Sequence, residues 1–192
     1  GHNISKTVGG SGSTNGNWIV QSTAIGVDDY LELNDTAAEA VDSGYFRGTR
    51  PSSTLLTLGT YNSNNGSSDN LIAYCFHSVD GYSKVGSYNG NANADGAFIY
   101  TGFRPAFVII KPSSRGGHWM MANNKSNPYN VVDKVIFGNS SDAEYTDPAA
   151  DCKKDFLSNG FKIYTADDNT NDDETYIYIA FAEAPFKFAN AR

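Results

Sequence analysis

The sequence predicts an all-β protein made of two tandem β-sandwich-like repeats of jelly-roll or lectin type, with one short helix in each. Three observations predict it. The 192-residue chain aligns with itself at a shift of 105 residues. Its apolar residues fall in short runs and alternations rather than in long helical periods. The segments between those runs are rich in Asn, Gly, Ser and Thr, with 20 Asn and 19 Gly in all, which is the chemistry of turns and loops.

The internal alignment runs without a gap from Asn34 to Phe76. Asn34-Asp35-Thr36-Ala37-Ala38-Glu39 falls on Asn139-Ser140-Ser141-Asp142-Ala143-Glu144, and Leu71–Phe76 falls on Tyr176–Phe181. Trp18 and Trp119 correspond at a shift of 101. The period exceeds the roughly 20–50 residues of solenoid repeats, so each copy has the size of a small domain. The boundaries predicted are 1–84 for the first repeat and 85–192 for the second.

The elements follow in order. Gly1 to Asn17 is mostly Gly, Ser, Thr and Asn, and no strand is expected before residue 10. The first repeat therefore reads as truncated at its N-terminus. A processing or excision boundary would explain that, as would a strand donated by another chain or segment. Thr36-x-x-Glu39 and Ser141-x-x-Glu144 fit the reciprocal capping box, which predicts a helical turn at each, the second ended by Pro148. Thr54–Leu58 and Phe161–Tyr164 read as strands. Each is followed by a polar connector, residues 62–70 and 167–175, and then by an aromatic strand, which predicts two long-loop hairpins. Phe107–Ile110 is a continuous apolar run, as in a strand buried on both faces. Cys75, in an alternating apolar strand, is expected buried, and Cys152, among charged residues, exposed.

Composition excludes several function classes. A net charge of −7 opposes a surface that tracks phosphates, so no nucleic-acid partner is expected. With 12 Tyr, 11 Phe and 2 Trp the chain has ample surface to bury and is not disordered by composition. No apolar run approaches the roughly 20 residues of a membrane span, so no membrane insertion is expected.

Chemistry-bearing motifs are sparse. Asp167, Asn169, Asn171 and Asp173 place oxygens at alternate positions, as Ca²⁺ prefers, and open like an EF-hand loop. Asp172 stands where that loop needs Gly, and Tyr178 where it needs a bidentate Glu. The equivalent loop of the first repeat carries a single carboxylate. Ca²⁺ is thus a candidate ligand and no cofactor is required. His77 has Ser78 and Asp80 beside it, but groups so close in one segment do not converge as a triad. No catalytic residue is assigned. Tyr82, Tyr88, Tyr129 and Tyr145 lie in polar contexts and are the candidate ligand-binding residues, since tyrosine offers large contact area at low entropy cost. Trp18 and Trp119, at equivalent positions, are expected to pack sheets rather than to serve as ligand platforms.

Ala73–Tyr88, Thr101–Lys111, Asp155–Lys162 and Tyr176–Phe186 resemble segments of tail-fibre-like structural proteins of tailed bacteriophages, especially marine ones. The resemblance spans nearly the whole chain and is strongest from Leu71 to Arg192. It implies a virion-surface component of tail fibre or tail tip, without catalytic residues. Its expected partners are further copies of itself, trimers included, other virion proteins, and a host cell-surface glycan or protein. The alternatives are a capsid or tail decoration protein without a ligand and, less favoured, a glycan-degrading enzyme, which would need paired carboxylates in a cleft.

Overall fold

Antiparallel pairing dominates the protein, which a computed structural model describes over residues 4–10, 16–67, 70–146 and 152–184. The first stretch of chain forms β1 (Ile4–Gly10), β2 (Trp18–Gln21), β3 (Asp29–Glu32) and β4 (Ala40–Val41). Two single-turn helices follow, α1 (Ser43–Phe46) and α2 (Asn62–Asn65), and then β5 (Leu71–His77). Next come β6 (Ser83–Asn89), β7 (Phe98–Tyr100), β8 (Pro105–Pro112), β9 (Met120–Asn123), β10 (Lys134–Phe137) and β11 (Tyr145–Thr146). β12 (Lys154–Leu157), β13 (Gly160–Ile163) and β14 (Thr175–Ala182) complete the set. They assemble into sheets ordered β4-β3-β2-β1-β5, β11-β10-β9-β8-β14-β6 and β12-β13-β7.

The two large sheets share a strand order. β1 pairs with β2 and β5, as β8 pairs with β9 and β14. The segment expected to lack a strand thus contains one: Ile4–Gly10 fills the place in the first sheet that β8 holds in the second. Its lack of an apolar run (Ile4-Ser5-Lys6-Thr7-Val8-Gly9-Gly10) hid it, because a strand with a ladder on both sides is held by backbone bonds and needs no long apolar run. Small side-chain contacts recur too. Trp18 N donates to Asn34 Oδ1 at 2.8 Å, and Trp119 N to Asn139 Oδ1 at 2.9 Å. Leu33 N meets Trp18 O, and Gly138 N meets Trp119 O, both at 2.8 Å.

Elsewhere the halves differ. Thr54–Leu58 is not a strand. Ser52 Oγ accepts the amides of Thr54 and Leu55, and no ladder partner is present among the described residues. Its counterpart β13 lies between β12 and β7. Neither expected hairpin forms, since β14 pairs with β8 and β6 rather than β13, and β5 with β1. Among the described residues both helices fall in the first half, not one in each, and neither is at a predicted capping box. Asp35 Oδ1 takes Ala37 N and Ser140 Oγ takes Asp142 N, making local turns in place of helix starts. Pro148 lies outside the described residues.

Packing between the halves explains the first of these turns. The Thr36 carbonyl accepts Gly117 N at 2.8 Å and Lys111 Nζ at 3.3 Å, while Ala37 O accepts Lys111 Nζ at 2.9 Å. Glu39 N donates to Ser113 O at 2.7 Å. Backbone groups that a helix would use internally are thus bonded to the second half. Lys111 is fully buried there, and desolvation lowers its pKa to about 8.

One core cluster lies wholly in the second half and includes Val108, Ile110, Phe156, Phe161, Ile163 and Tyr176. A second joins Val20, Ile25 and Leu31 to Trp119 and Ile177, so it bridges the halves. The thiols reverse the expectation, with Cys152 buried in the first cluster and Cys75 exposed. The alternating run around Cys75 belongs to a strand at a sheet edge, where alternation does not guarantee cover.

Candidate functional site

An apolar cavity of about 430 Å³ lies between the two large sheets. Trp18, Val20, Leu33, Tyr74 and Phe76 line it from the first sheet and its flanks. Ile109, Trp119, Ile177, Tyr178 and Ile179 line it from the second. Register shows how the space arises. Phe76, Tyr74 and Ile72 stand across from Ser5, Thr7 and Gly9 on β1, so small residue types lie between two strands with large side chains. Trp18, opposite Gly9 on the other side, stacks on Tyr74 with centroids 6.0 Å apart.

The two tryptophans divide their roles. Trp119 is buried, and its indole Nε1 donates to Glu32 O at 2.8 Å, which pins the far wall. Trp18 is only half-buried. The expectation that both pack sheets holds for Trp119, a member of the bridging core cluster, while Trp18 is covered only in part; both also line the cavity. Tyr178 reaches the cavity from the strand that carries Ile177 and Ile179, but its ring packs on the other face of β14, against Tyr88 and Phe161 in the first core cluster. Such a wall can hold an apolar or aromatic group by desolvation and stacking. None of its lining residues carries a carboxylate, imidazole or amine.

The candidate tyrosines do not converge. Tyr82 and Tyr88 stand at opposite ends of β6, on the order of 20 Å apart at strand rise. Tyr82 packs edge-on to Phe181. Tyr88 is no loop residue: it stacks on Tyr176 at 5.1 Å and donates to Thr170 O at 2.6 Å, and burial pushes its pKa well up. Tyr129 is 83% exposed in the loop between β9 and β10. Tyr145 belongs to β11, and its side chain lies outside the described residues.

The acidic loop is bonded to its own protein. Asp167 Oδ1 accepts Asn169 N, Asn169 Oδ1 accepts His118 N, and Asn171 Oδ1 accepts Asn91 N. Asn171 is fully buried and donates to Asn91 Oδ1, Asn93 O and Thr165 O. Asp173 is exposed. Arg115 clamps the remaining carboxylates, at 2.6 Å from Asp168 and 2.8 Å from Asp172. Three of the four candidate oxygens therefore orient backbone amides. Gly90 completes the packing, since a Cβ there would lie 1.9 Å from Asp172 O. No cluster of three or more His, Cys, Asp or Glu with metal-holding geometry occurs among the described residues. A second depression is lined by Asp80, Arg104, Ser158 and Glu183, among others. Its Glu183 is held by Arg104 at 2.8 Å and by Asn124 at 2.8 Å.

Sequence reasoning missed the cleft because its walls come from strands distant in the chain. The one available signal was the equivalence of Trp18 and Trp119, which marks corresponding positions in two sheets that turn out to face one cavity.

Fold and cleft together define an all-β protein of several antiparallel sheets with an apolar interlayer cavity. The chain belongs to the family described as a domain of unknown function (DUF7483), which it matches over residues 4–185. No curated protein and no solved structure matches it. Among the described residues no helix is long and apolar enough to cross a membrane.

Proposed function

We propose that the chain is a non-catalytic structural and binding module of a tailed-bacteriophage virion, displayed on a tail fibre or tail tip and attaching to a host-surface glycan or protein. The observation that carries the binding half of this reading is the cavity wall, whose lining residues are all aromatic or aliphatic, with no carboxylate, imidazole or amine among them. The phage half rests on the sequence resemblance. Two tandem β-sandwich-like repeats, divided near residue 84, are the architecture that goes with it. The shared order β4-β3-β2-β1-β5 and β11-β10-β9-β8-β14 supports that division, as do the matching Trp–Asn bonds. In such a module weak single sites gain strength through multivalency.

The test is binding of fluorescently labelled protein to marine bacterial cells and to a glycan array. Saturable staining of particular cells supports attachment. Staining of no cell, together with capture of phage structural proteins, would favour the decoration role. Release of reducing ends from bacterial polysaccharide would overturn the non-catalytic reading.

A further inference from the structure

Several polar side chains that the fold leaves unbonded gather in one shallow depression of about 460 Å³, lined by Asp28, Ser43, Gly44, Arg47, Gly48 and Thr60. It lies where the turn before β3 meets α1 and the chain just ahead of α2. Every lining residue is polar or glycine, the reverse of the interlayer cavity. Backbone bonds fix the walls. Asp28 O accepts Asp42 N at 2.9 Å, and Asp28 Oδ1 accepts Gly48 N at 2.5 Å. Gly44 O accepts Thr60 N at 2.9 Å, and Tyr45 O accepts Gly59 N at 2.6 Å. The two segments lie so close that a Cβ on Gly59 would stand 1.7 Å from Gly44 O. The Tyr61 ring packs on Gly44 in turn, 2.5 Å from where a Cβ would be. Asp42 orients that ring by accepting the Tyr61 hydroxyl at 2.9 Å, and Tyr61 remains 42% exposed.

The functional groups in this depression are held in place and left unused. Elsewhere Arg50 donates to Ser22 O and Ile25 O, Arg104 clamps Glu183, and Arg115 clamps Asp168 and Asp172. Among the described residues, Arg47 is the one arginine whose guanidinium has no hydrogen bond or ion pair. Its backbone is left-handed, with φ 54° and ψ 42°. A glycine would close α1 there without cost, as the next residue, Gly48, does at φ 61°. A strained arginine whose side chain bonds to nothing in the fold points to a role outside it. Asp28 Oδ2 and the hydroxyls of Ser43 and Thr60 likewise have no hydrogen bond among the described residues.

We propose that this depression is a binding site for a neutral hexopyranose unit of a glycan. Adjacent sugar hydroxyls are donors and acceptors together. The free Asp28 oxygen accepts from one, and the Arg47 guanidinium donates to its neighbour. The hydroxyls of Ser43 and Thr60 serve in either sense. The exposed Tyr61 ring beside Gly44 offers an apolar face to the C–H side of the sugar. Asp28 and Arg47 cancel in charge, and the chain's net charge of −7 disfavours an anionic sugar. The proposal rests on the glycan-binding half of the reading above, and it gives that glycan a site apart from the interlayer cavity.

The test is saturation-transfer NMR on the full chain with glucose, galactose, mannose and N-acetylglucosamine, each at about 10 mM, a level suited to millimolar affinities. The expected result is transfer to at least one of these sugars, weakened at least tenfold in Asp28→Asn and in Arg47→Gly. Asp28→Asn keeps an oxygen for the Gly48 amide. Arg47→Gly relieves the left-handed backbone, so its melting temperature should equal or exceed the parent's, and its loss of binding is then not a loss of folding. Transfer that survives both substitutions places the sugar elsewhere and overturns the site. Stronger transfer to glucuronate than to every neutral sugar overturns the neutral class. No transfer to any of the four overturns the proposal even where labelled protein stains cells. Transfer without staining supports the site and removes the host-attachment reading.

Discussion

Asn139 accepts the backbone amide of Trp119 at 2.9 Å, and its own amide group lies 3.1 Å from His118 Nδ1. Asn34 does the same for Trp18 at 2.8 Å, with its amide donating to Asn17 Oδ1 at 2.9 Å. Each asparagine follows the second of two paired strands and bonds to the start of the first, at the end of the pair away from the connecting turn. The Trp119 pair is partly buried and the Trp18 pair exposed. Asn139→Ala should therefore cost about 1–2 kcal/mol, the penalty of a stranded amide, and Asn34→Ala less, since water can replace the lost partner. Parallel urea melts of the two variants measure the difference, and equal losses would contradict it.

Lys111 predicts an unusual alkaline profile. Burial lowers its pKa to about 8 from the model-peptide value of 10.5. Between those values the unfolded chain binds a proton that the folded chain has released, so stability rises with pH. The gain should reach about 2 kcal/mol between pH 8 and 10, at ~1.4 kcal/mol per pKa unit. Above pH 10 the sign reverses. Tyr176 and Tyr178 are raised to about 12 by burial, so their protonated folded forms lose stability as the pH climbs through that range. Chemical denaturation from pH 7 to 11 should show a maximum near 10, and Lys111→Met should abolish the rise.

Arg115 ties the turn after β8 to the loop before β14 through Asp168 and Asp172. These pairs are partly exposed, so Arg115→Ala should cost only about 1 kcal/mol overall. Its larger effect should be local, as faster amide exchange over residues 167–174. Unchanged exchange there would show that Asn171 alone holds the loop.

Ca²⁺ at millimolar concentration should leave the melting temperature unchanged, because Asp167, Asn169 and Asn171 already direct oxygens at backbone amides. A rise that scales with Ca²⁺, read by differential scanning fluorimetry, would mean that the loop rearranges to bind.

The interlayer cavity should take up an apolar fluorophore such as anilinonaphthalene sulfonate in the native state, with quenching or energy transfer at Trp18. Leu33→Trp, at a half-buried wall position, should fill the space and remove the signal with a melting temperature within a few degrees of the parent. Retained dye binding in that variant would place the dye elsewhere.

The sequence by itself determined the β class, the correspondence of residues 34–76 with 139–181, the strands β5, β8, β13 and β14, and the acidic loop. All of these rest on local chemistry: alternation, β-branched and aromatic runs, turn residues, and self-similarity at fixed spacing. Tertiary structure decided the rest. Only pairing reveals that Ile4–Gly10 is a strand, since its identity comes from ladders to β2 and β5 rather than from its own residues. Only packing keeps the Thr36 capping box from starting a helix, because Lys111, Ser113 and Gly117 bond the groups a helix would use. The cavity, likewise, is made by faces of strands far apart in the chain, and β14 is buried by core clusters packed on both its faces while β5 is largely exposed. A strand's pattern states which faces it can bury; whether they are buried depends on which strands lie beside and across from it.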